Sequence, residues 1–213
     1  ERARYPMLQS SDWQIPHYQD VHFQSRTPNV RIHAWYTEID KHAPVVIVVH
    51  GIRPNCKNAY ESLLASAMLV RGGINVLNID LQNHGDSTKN SRFIAYGQRE
   101  YHDLLGAYDW LRTQGYPSNR IGLMGLSLGA VTSAIAFSKE TDIRAVWLDS
   151  PFSDFDRMFC YELNKLYLPC FFRYGAEWIG YLILGISPNN ILPTEAITNH
   201  QDRYIYLTHG TDD

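Results

Sequence analysis

The chain has 213 residues, of which 45% are hydrophobic and 19% are charged, and its formal net charge is −3. This length and composition are ordinary for one globular domain with a full core. The slightly acidic balance gives no electrostatic reason to expect a nucleic-acid partner. The longest apolar stretch, residues 171–186, is interrupted by Arg173 and Glu177 and is too short to span a bilayer.

Three cysteines, Cys56, Cys160 and Cys170, are too few for a disulfide framework. Although the last two are near enough in sequence to pair, we expect buried free thiols, because cysteine is among the most buried residue types. This expectation favours a reducing, cytoplasmic compartment. Residues 1–20 contain no apolar segment typical of a signal peptide. Because the chain begins with Glu1, we expect that native residues, with any anchor they carry, precede it.

In chain order, the hydrophobic pattern first predicts an antiparallel hairpin from Val21–Arg26 and Val30–Tyr36, which flank a Thr-Pro-Asn turn. Short apolar or β-branched runs predict five further strands: Val45–Val49, Ile74–Ile79, Ile121–Met124, Ala145–Leu148 and Tyr204–Leu207. Apolar residues at helical spacing fall between these runs, over residues 60–68, 101–111 and 128–139. Strands that alternate with helices predict an α/β fold with a mainly parallel sheet and helices on both faces.

Residues 151–192 break this alternation and are rich in Phe, Tyr, Leu and Trp, which predicts a small helical cap over the carboxyl edge of the sheet. We therefore expect a single domain over residues 1–213, with its core in residues 20–150 and 193–213. Most cap aromatics should pack the cap onto the core. Others would line an acyl pocket or make weak contact with a membrane surface.

The strand Val45–Val49 ends directly in His50 and Gly51, at the edge where ligands bind in open α/β sheets. A backbone N–H from the loop that follows would help to hold an oxyanion, with Ile52 the first candidate donor and Arg53 the second. For His50 itself we expect a packing role that shapes the loop.

Residues 125–129 read Gly-Leu-Ser-Leu-Gly, a G-x-S-x-G pentapeptide between a predicted strand and a predicted helix. In this arrangement Ser127 sits on a strained turn with its Oγ exposed, and the flanking residues must be glycine because larger side chains would collide. The helix N-terminus favours negative charge at the site, and the Leu128 N–H is the second candidate oxyanion donor. Ser127 is thus the predicted nucleophile.

The last predicted strand leads into an acidic turn, in which Asp212 and Asp213 both qualify chemically as the acid that orients a catalytic histidine. The chain order of serine before acid is the one this architecture uses.

Five short motifs appear in a characteristic order: residues 50–51 (His-Gly), 83–87 (Asn-His-Gly-Asp-Ser), 125–129, 149–153 (Asp-Ser-Pro-Phe-Ser) and 209–213 (His-Gly-Thr-Asp-Asp). Together they resemble the α/β-hydrolase superfamily, and most of all its Bem46-like and serine-aminopeptidase-like serine hydrolases. The resemblance implies the α/β-hydrolase fold and places the acid at Asp213, three positions after the Gly of His-Gly. It implies no catalytic role for residues 84–87.

The resemblance also implies a catalytic histidine after the acid, whereas His200 and His209 both precede Asp213. We expect that histidine on residues beyond Asp213. A second fragment that supplies it, or an incomplete triad, are the alternatives.

These features predict a serine hydrolase that cleaves a carboxylic ester, or an amide or thioester, through an acyl-enzyme on Ser127. Its expected partner is a small-molecule acyl substrate. No cofactor and no metal are expected, because the nine histidines show no H-E-x-x-H spacing and the glycines form no G-x-G-x-x-G fingerprint. The alternative function is a non-catalytic hydrolase-like binding or regulatory domain.

Overall fold

The structure, a computed structural model, describes residues 18–52, 56–153, 155–185, 193–198 and 202–210. The predicted acid Asp213, its alternative Asp212, the second loop donor Arg53 and His200 lie outside the described residues.

Seven strands form one sheet: β1 (Gln19–Gln24), β2 (Arg31–Thr37), β3 (Val45–Val49), β4 (Asn75–Ile79), β5 (Ile121–Leu126), β6 (Ala145–Asp149) and β7 (Tyr204–Thr208). Their order is β1-β2-β4-β3-β5-β6-β7. β2 pairs antiparallel with both β1 and β4, and all other neighbouring strands are parallel. The predicted hairpin and the mainly parallel sheet are confirmed.

The first strand ends two residues earlier than predicted, because the turn of the hairpin is longer than Thr-Pro-Asn. The Ser25 amide donates to the Val30 carbonyl across this turn at 2.9 Å. Within the turn, Asn29 takes a left-handed conformation with φ 61°, which Asn tolerates better than most residues. The chain therefore leaves the sheet after Gln24.

Among the described residues, six α-helices accompany the sheet: α1 (Tyr60–Arg71), α2 (Tyr101–Thr113), α3 (Leu128–Lys139), α4 (Phe155–Lys165), α5 (Phe172–Leu184) and α6 (Pro193–Thr198). Apolar residues of α2 and α3 pack on one face of the sheet around Ile47 and Leu123. Residues of α1 pack on the other face against Val48 and Met124. Because neighbouring residues of a strand point to opposite faces, these continuous apolar runs supply both halves of the core.

Helices α4 and α5 fall within the segment predicted as a cap. Phe155 is the buried residue of α4, and its ring lies edge-on to that of Tyr96, with centroids 4.6 Å apart. The expectation that most cap aromatics pack onto the core is wrong: exposed rings include Tyr161, Tyr167, Phe171, Phe172, Tyr174, Trp178 and Tyr181. The expected membrane-surface contact of this segment stays a prediction, which co-sedimentation with lipid vesicles would test.

The expectation of buried free thiols in the cap is wrong. Cys160 and Cys170 form a disulfide, and both residues are half-buried. The turn between α4 and α5 brings their Cα atoms to 4.8 Å, well within the range that a disulfide spans. The sequence could not show this, because the approach depends on how the chain reverses after α4. Their pairing also removes the cysteine argument for a reducing compartment.

Within the described ranges, no helix is both long enough and apolar enough to cross a membrane.

Candidate active site

The ends of five parallel strands bring the candidate site together. The register sets Val49 of β3 opposite both Ile79 of β4 and Gly125 of β5. In the same way, Leu126 of β5 lies opposite Asp149 of β6. The loops that follow these strands therefore emerge at one edge of the sheet, where the chain reverses into helices.

Ser127 occupies the turn between β5 and α3. Its backbone has φ 53° and ψ −112°, a conformation that non-glycine residues rarely adopt. The residue is exposed although Leu126 and Leu128 on either side are buried. Its amide donates to the Asp149 carbonyl at 2.8 Å, and its carbonyl accepts the Ala130 amide at 2.9 Å to begin α3. The turn thus presents a hydroxyl at the sheet edge and the first amides of a helix beside it.

The two flanking glycines are required by close backbone approach, as the sequence predicts. A Cβ on Gly125 would collide with the Gly129 carbonyl oxygen. A Cβ on Gly129 would in turn collide with the carbonyl oxygens of Val49 and His50. The first turn of α3 is therefore pressed against the start of the loop that follows β3.

His50 has the structural role predicted for it. The ring is fully buried, and its Nε2 accepts the Leu81 amide at 3.1 Å. Its Nδ1 must then carry the proton, which it donates to the Gly51 carbonyl at 2.6 Å. Burial, reinforced by the nearby His84, lowers the pKa of His50 to about 4, so the ring is neutral at pH 7. His50 thus fixes the path of the loop that bears Ile52.

The two predicted oxyanion donors differ in exposure. Ile52 is 40% exposed on its loop, whereas Leu128 at the start of α3 is 1% exposed. The first amides of a helix have no partner within the helix, so the Leu128 N–H points out of the end of α3. The contact of Gly129 with the residue 49–50 backbone brings the two segments together.

The end of β6 is fixed to the end of β7. The Thr208 hydroxyl donates to Asp149 Oδ1 at 2.6 Å and accepts the Trp147 indole N–H at 2.9 Å. The Ser150 amide donates to the Thr208 carbonyl at 2.8 Å. His209 follows this pair and is exposed. The end of β7 is thus held against the end of β6, and β6 lies between β7 and the strand that leads into the Ser127 turn.

A charge cluster in which Lys57 and Asp80 are buried and Asp86 is exposed has no counterpart in the sequence predictions. Lys57 Nζ donates to Asp80 Oδ2 at 2.6 Å and to Asp86 Oδ2 at 2.7 Å. Burial alone would lower the pKa of Lys57, but the attraction and hydrogen bonds of the two carboxylates outweigh it, so the pKa is raised. Asp80 was detectable as the residue that ends a buried strand. A lysine in a loop carries no comparable sequence signal.

Comparisons with known proteins agree with this fold. Residues 40–209 match the model of the family described as serine aminopeptidase, S33. An esterase from Pyrococcus furiosus, Pf2001, superposes with a TM-score of 0.71 at 26% identity, over 94% of this chain and 72% of that one. The α/β hydrolase GrgF from Penicillium sp. sh18 superposes with a TM-score of 0.66 at 15% identity, over 92% and 90% of the two chains, and shows the shared fold.

A curated relative is protein YqkD of Bacillus subtilis (strain 168). It is 31% identical over 124 residues, which are 57% of this chain and 39% of the relative. The matched segment thus spans well under half of that protein.

Proposed function

Because the chain belongs to the serine aminopeptidase S33 family of α/β hydrolases, we propose that it is a serine hydrolase with Ser127 as its nucleophile. One observation carries the proposal: Ser127 is exposed on a strained turn at the carboxyl edge of the sheet, directly before a helix. A strained backbone conformation costs free energy and persists where the fold or the function demands it. Here it presents the hydroxyl outward between two buried leucines.

The proposed reaction is a two-step acyl transfer. Ser127 Oγ attacks the substrate carbonyl as a histidine base accepts its proton, and the N–H groups of Leu128 and Ile52 hold the oxyanion. Collapse of the tetrahedral intermediate releases the alcohol and leaves an acyl-enzyme, which water then hydrolyses. Asp213 would orient the base and stabilise its charged form. That histidine is not assigned within residues 1–213.

A carboxylic ester is the proposed substrate class, supported by the similarity to an esterase at 26% identity. The same groups would also serve an amide or a thioester, because each passes through a tetrahedral oxyanion. The aromatic rings of Phe152 and Tyr96, each packed edge-on to that of Phe155, would form with it the wall of an acyl pocket on the cap side. They favour an apolar acyl group.

The test is covalent labelling of the full-length protein with a fluorophosphonate probe, followed by mapping of the labelled peptide. We expect the label on Ser127 and hydrolysis of a p-nitrophenyl ester, both lost by at least roughly 10³-fold in Ser127→Ala. Ser153→Ala, an exposed serine at the same sheet edge, is the matched control and should keep both.

The alternative, a non-catalytic binding or regulatory domain, gives the opposite result. A protein that unfolds cooperatively, yet neither labels at Ser127 nor turns over esters, amides or thioesters, would contradict the proposal and favour that domain.

A further inference from the structure

The loop between β3 and α1 is attached at both ends to the two residues that follow β4. At its start, the Leu81 amide donates to His50 Nε2 at 3.1 Å. At its end, the Lys57 amide donates to Asp80 Oδ1 at 2.7 Å. In the chain, Ile52 lies between the two attachments.

Lys57 makes the second attachment with its side chain and its carbonyl as well. Its Nζ is 2.6 Å from Asp80 Oδ2 and 2.7 Å from Asp86 Oδ2. Its carbonyl accepts Asn78 Nδ2 at 2.7 Å. Lys57 is 2% exposed and Asp80 is fully buried, so water screens their attraction little. Lys57 is thus held at the end of β4 through its amide, its ammonium and its carbonyl.

The turn after β4 is built around the same carboxylate. The Asp86 amide donates to Asp80 Oδ2 at 2.8 Å, and the Ser87 hydroxyl donates to the Asp80 carbonyl at 2.7 Å. Gly85 has φ 44°, and a Cβ there would collide with the Asp80 carboxylate. The Asn-His-Gly-Asp-Ser sequence of residues 83–87 therefore has a physical reason: it wraps the chain around the carboxylate that receives Lys57.

The cluster also resembles a binding site for a metal ion. One ligand atom from each of His33, Asp80 and Asp86 lies within 4.8 Å of the others. The Lys57 ammonium, in hydrogen-bond distance of both carboxylates, already supplies the positive charge that they need. The side chains thus favour a resident ammonium over a bound metal.

We propose that Lys57 is a positioning residue: its buried ammonium locks the loop that carries the Ile52 N–H against the end of β4, and so sets the geometry of the oxyanion donors. This inference rests on the proposed function of Ser127. Lys57 acts through the loop and does not touch the substrate. Its role is to keep one donor in place while the other, on Leu128, is fixed by α3.

Two variants of the full-length protein separate positioning from stability. Lys57→Met leaves Asp80 as a buried carboxylate without its cation, which destabilises the fold. Lys57→Met/Asp80→Asn removes both charges, so the Tm should recover towards that of the wild type. If Lys57 positions the loop, kcat for a p-nitrophenyl ester stays 10- to 100-fold low in the double variant, with KM within threefold.

Hydrogen–deuterium exchange reports the loop directly. In the double variant the peptide that covers residues 50–57 should exchange faster, while the peptide that covers residues 128–139 is unchanged. Lys41→Met, at an exposed lysine before β3 and away from the site edge, is the control and should change neither exchange nor kcat.

The inference is overturned if kcat recovers together with the Tm, because Lys57 then serves stability alone. It is also overturned if the folded double variant keeps loop exchange within twofold of the wild type. Failure of the wild type to label at Ser127 would instead contradict the proposed function, and the exchange result would still decide whether Lys57 locks the loop. If neither variant folds, kcat and loop exchange are measured on Asp86→Asn instead, because the Asp86 side chain is 72% exposed.

Discussion

Helices α3 and α4 are held in the fold in two different ways. Residues 128–137 of α3 are all buried, whereas Phe155 is the buried residue of α4. Close backbone contacts fix α3, because its first glycine touches the carbonyls that end β3. α4 is held by side chains, through the rings around Phe155, the Asp156–Arg173 ion pair and the Cys160–Cys170 disulfide. The proposed nucleophile therefore lies directly before the rigid element, and one ring of the proposed acyl pocket, that of Phe155, lies on α4.

The largest expected effect comes from adding one methyl group to the rigid element. Gly129→Ala places a Cβ against the carbonyl oxygens of Val49 and His50, where backbone on both sides must move. We expect a loss of about 3 kcal/mol in the free energy of unfolding, the upper range for overpacking. Displacement of the Ser127 turn should also lower the rate of fluorophosphonate labelling by roughly 100-fold.

Gly175→Ala is the matched substitution in the cap, because a Cβ there meets nothing within 4 Å. Alanine is the better helix former, so α5 should gain up to about 1 kcal/mol and labelling should not change. Equal effects of the two substitutions, in urea unfolding and in labelling rate, would refute the contrast between α3 and the cap.

A buried acid makes the core sensitive to pH. Burial raises the pKa of Asp103 from 3.8 to about 7, although the Gln82 amide donates to its carboxylate. Between these values the folded state holds a proton that the unfolded chain has lost, so this group makes stability fall as pH rises from about 4 to about 7. Asp103→Asn keeps an acceptor for Gln82 and should stabilise the protein roughly 2 kcal/mol more at pH 8 than at pH 5.

The measurement is urea unfolding of variant and wild type at both pH values. The variant is compared with the wild type at each pH because His50 gives both proteins a pH dependence of the opposite sign. Its pKa falls from 6.5 to about 4, so its contribution to stability is lost as pH falls through that range. A variant-minus-wild-type difference that is the same at pH 5 and pH 8 would mean that Asp103 titrates normally.

The strands and the Ser127 turn could be read from the sequence because each depends on neighbours along the chain. A β-branched run predicts a buried strand, and Gly-x-Ser-x-Gly predicts a turn whose glycines meet each other. The Lys57 contacts could not be read, because they join residues 23 and 29 positions apart. The same holds for the cap disulfide, since the reversal after α4 has no sequence signature. Pairing of distant polar groups is decided by the fold, which the local pattern does not specify.

Arg203 is another long-range contact of this kind, and it anchors the far end of α3. Its guanidinium donates to the carbonyls of Phe137 at 2.6 Å and Glu140 at 3.3 Å, and stacks on the Phe137 ring. Arg203→Met should cost about 1.5 kcal/mol, because it leaves helix-end carbonyls without a charged donor. The comparison in the cap is Arg173→Met, which breaks the half-exposed ion pair with Asp156 and should cost less than about 1 kcal/mol.

Chemical denaturation of both variants gives the ranking. If Arg173→Met proves the more destabilising, the cap contributes more to the cooperative unit than its exposure indicates, and α4 and α5 unfold together with the sheet.

The smallest effect on the core is expected from the disulfide between Cys160 and Cys170. It closes a short loop between α4 and α5, so it should stabilise the arrangement of these two helices rather than the sheet. Reduction with dithiothreitol should speed deuterium exchange in residues 155–184 and change the free energy of unfolding of the core by less than about 0.5 kcal/mol.

If the cap forms a wall of the acyl pocket, KM for an octanoyl ester should rise severalfold on reduction, while KM for an acetyl ester stays constant. The double variant Cys160→Ser/Cys170→Ser should show these values without reductant and not respond to it. A KM for the octanoyl ester that does not change on reduction would place the acyl pocket away from the cap.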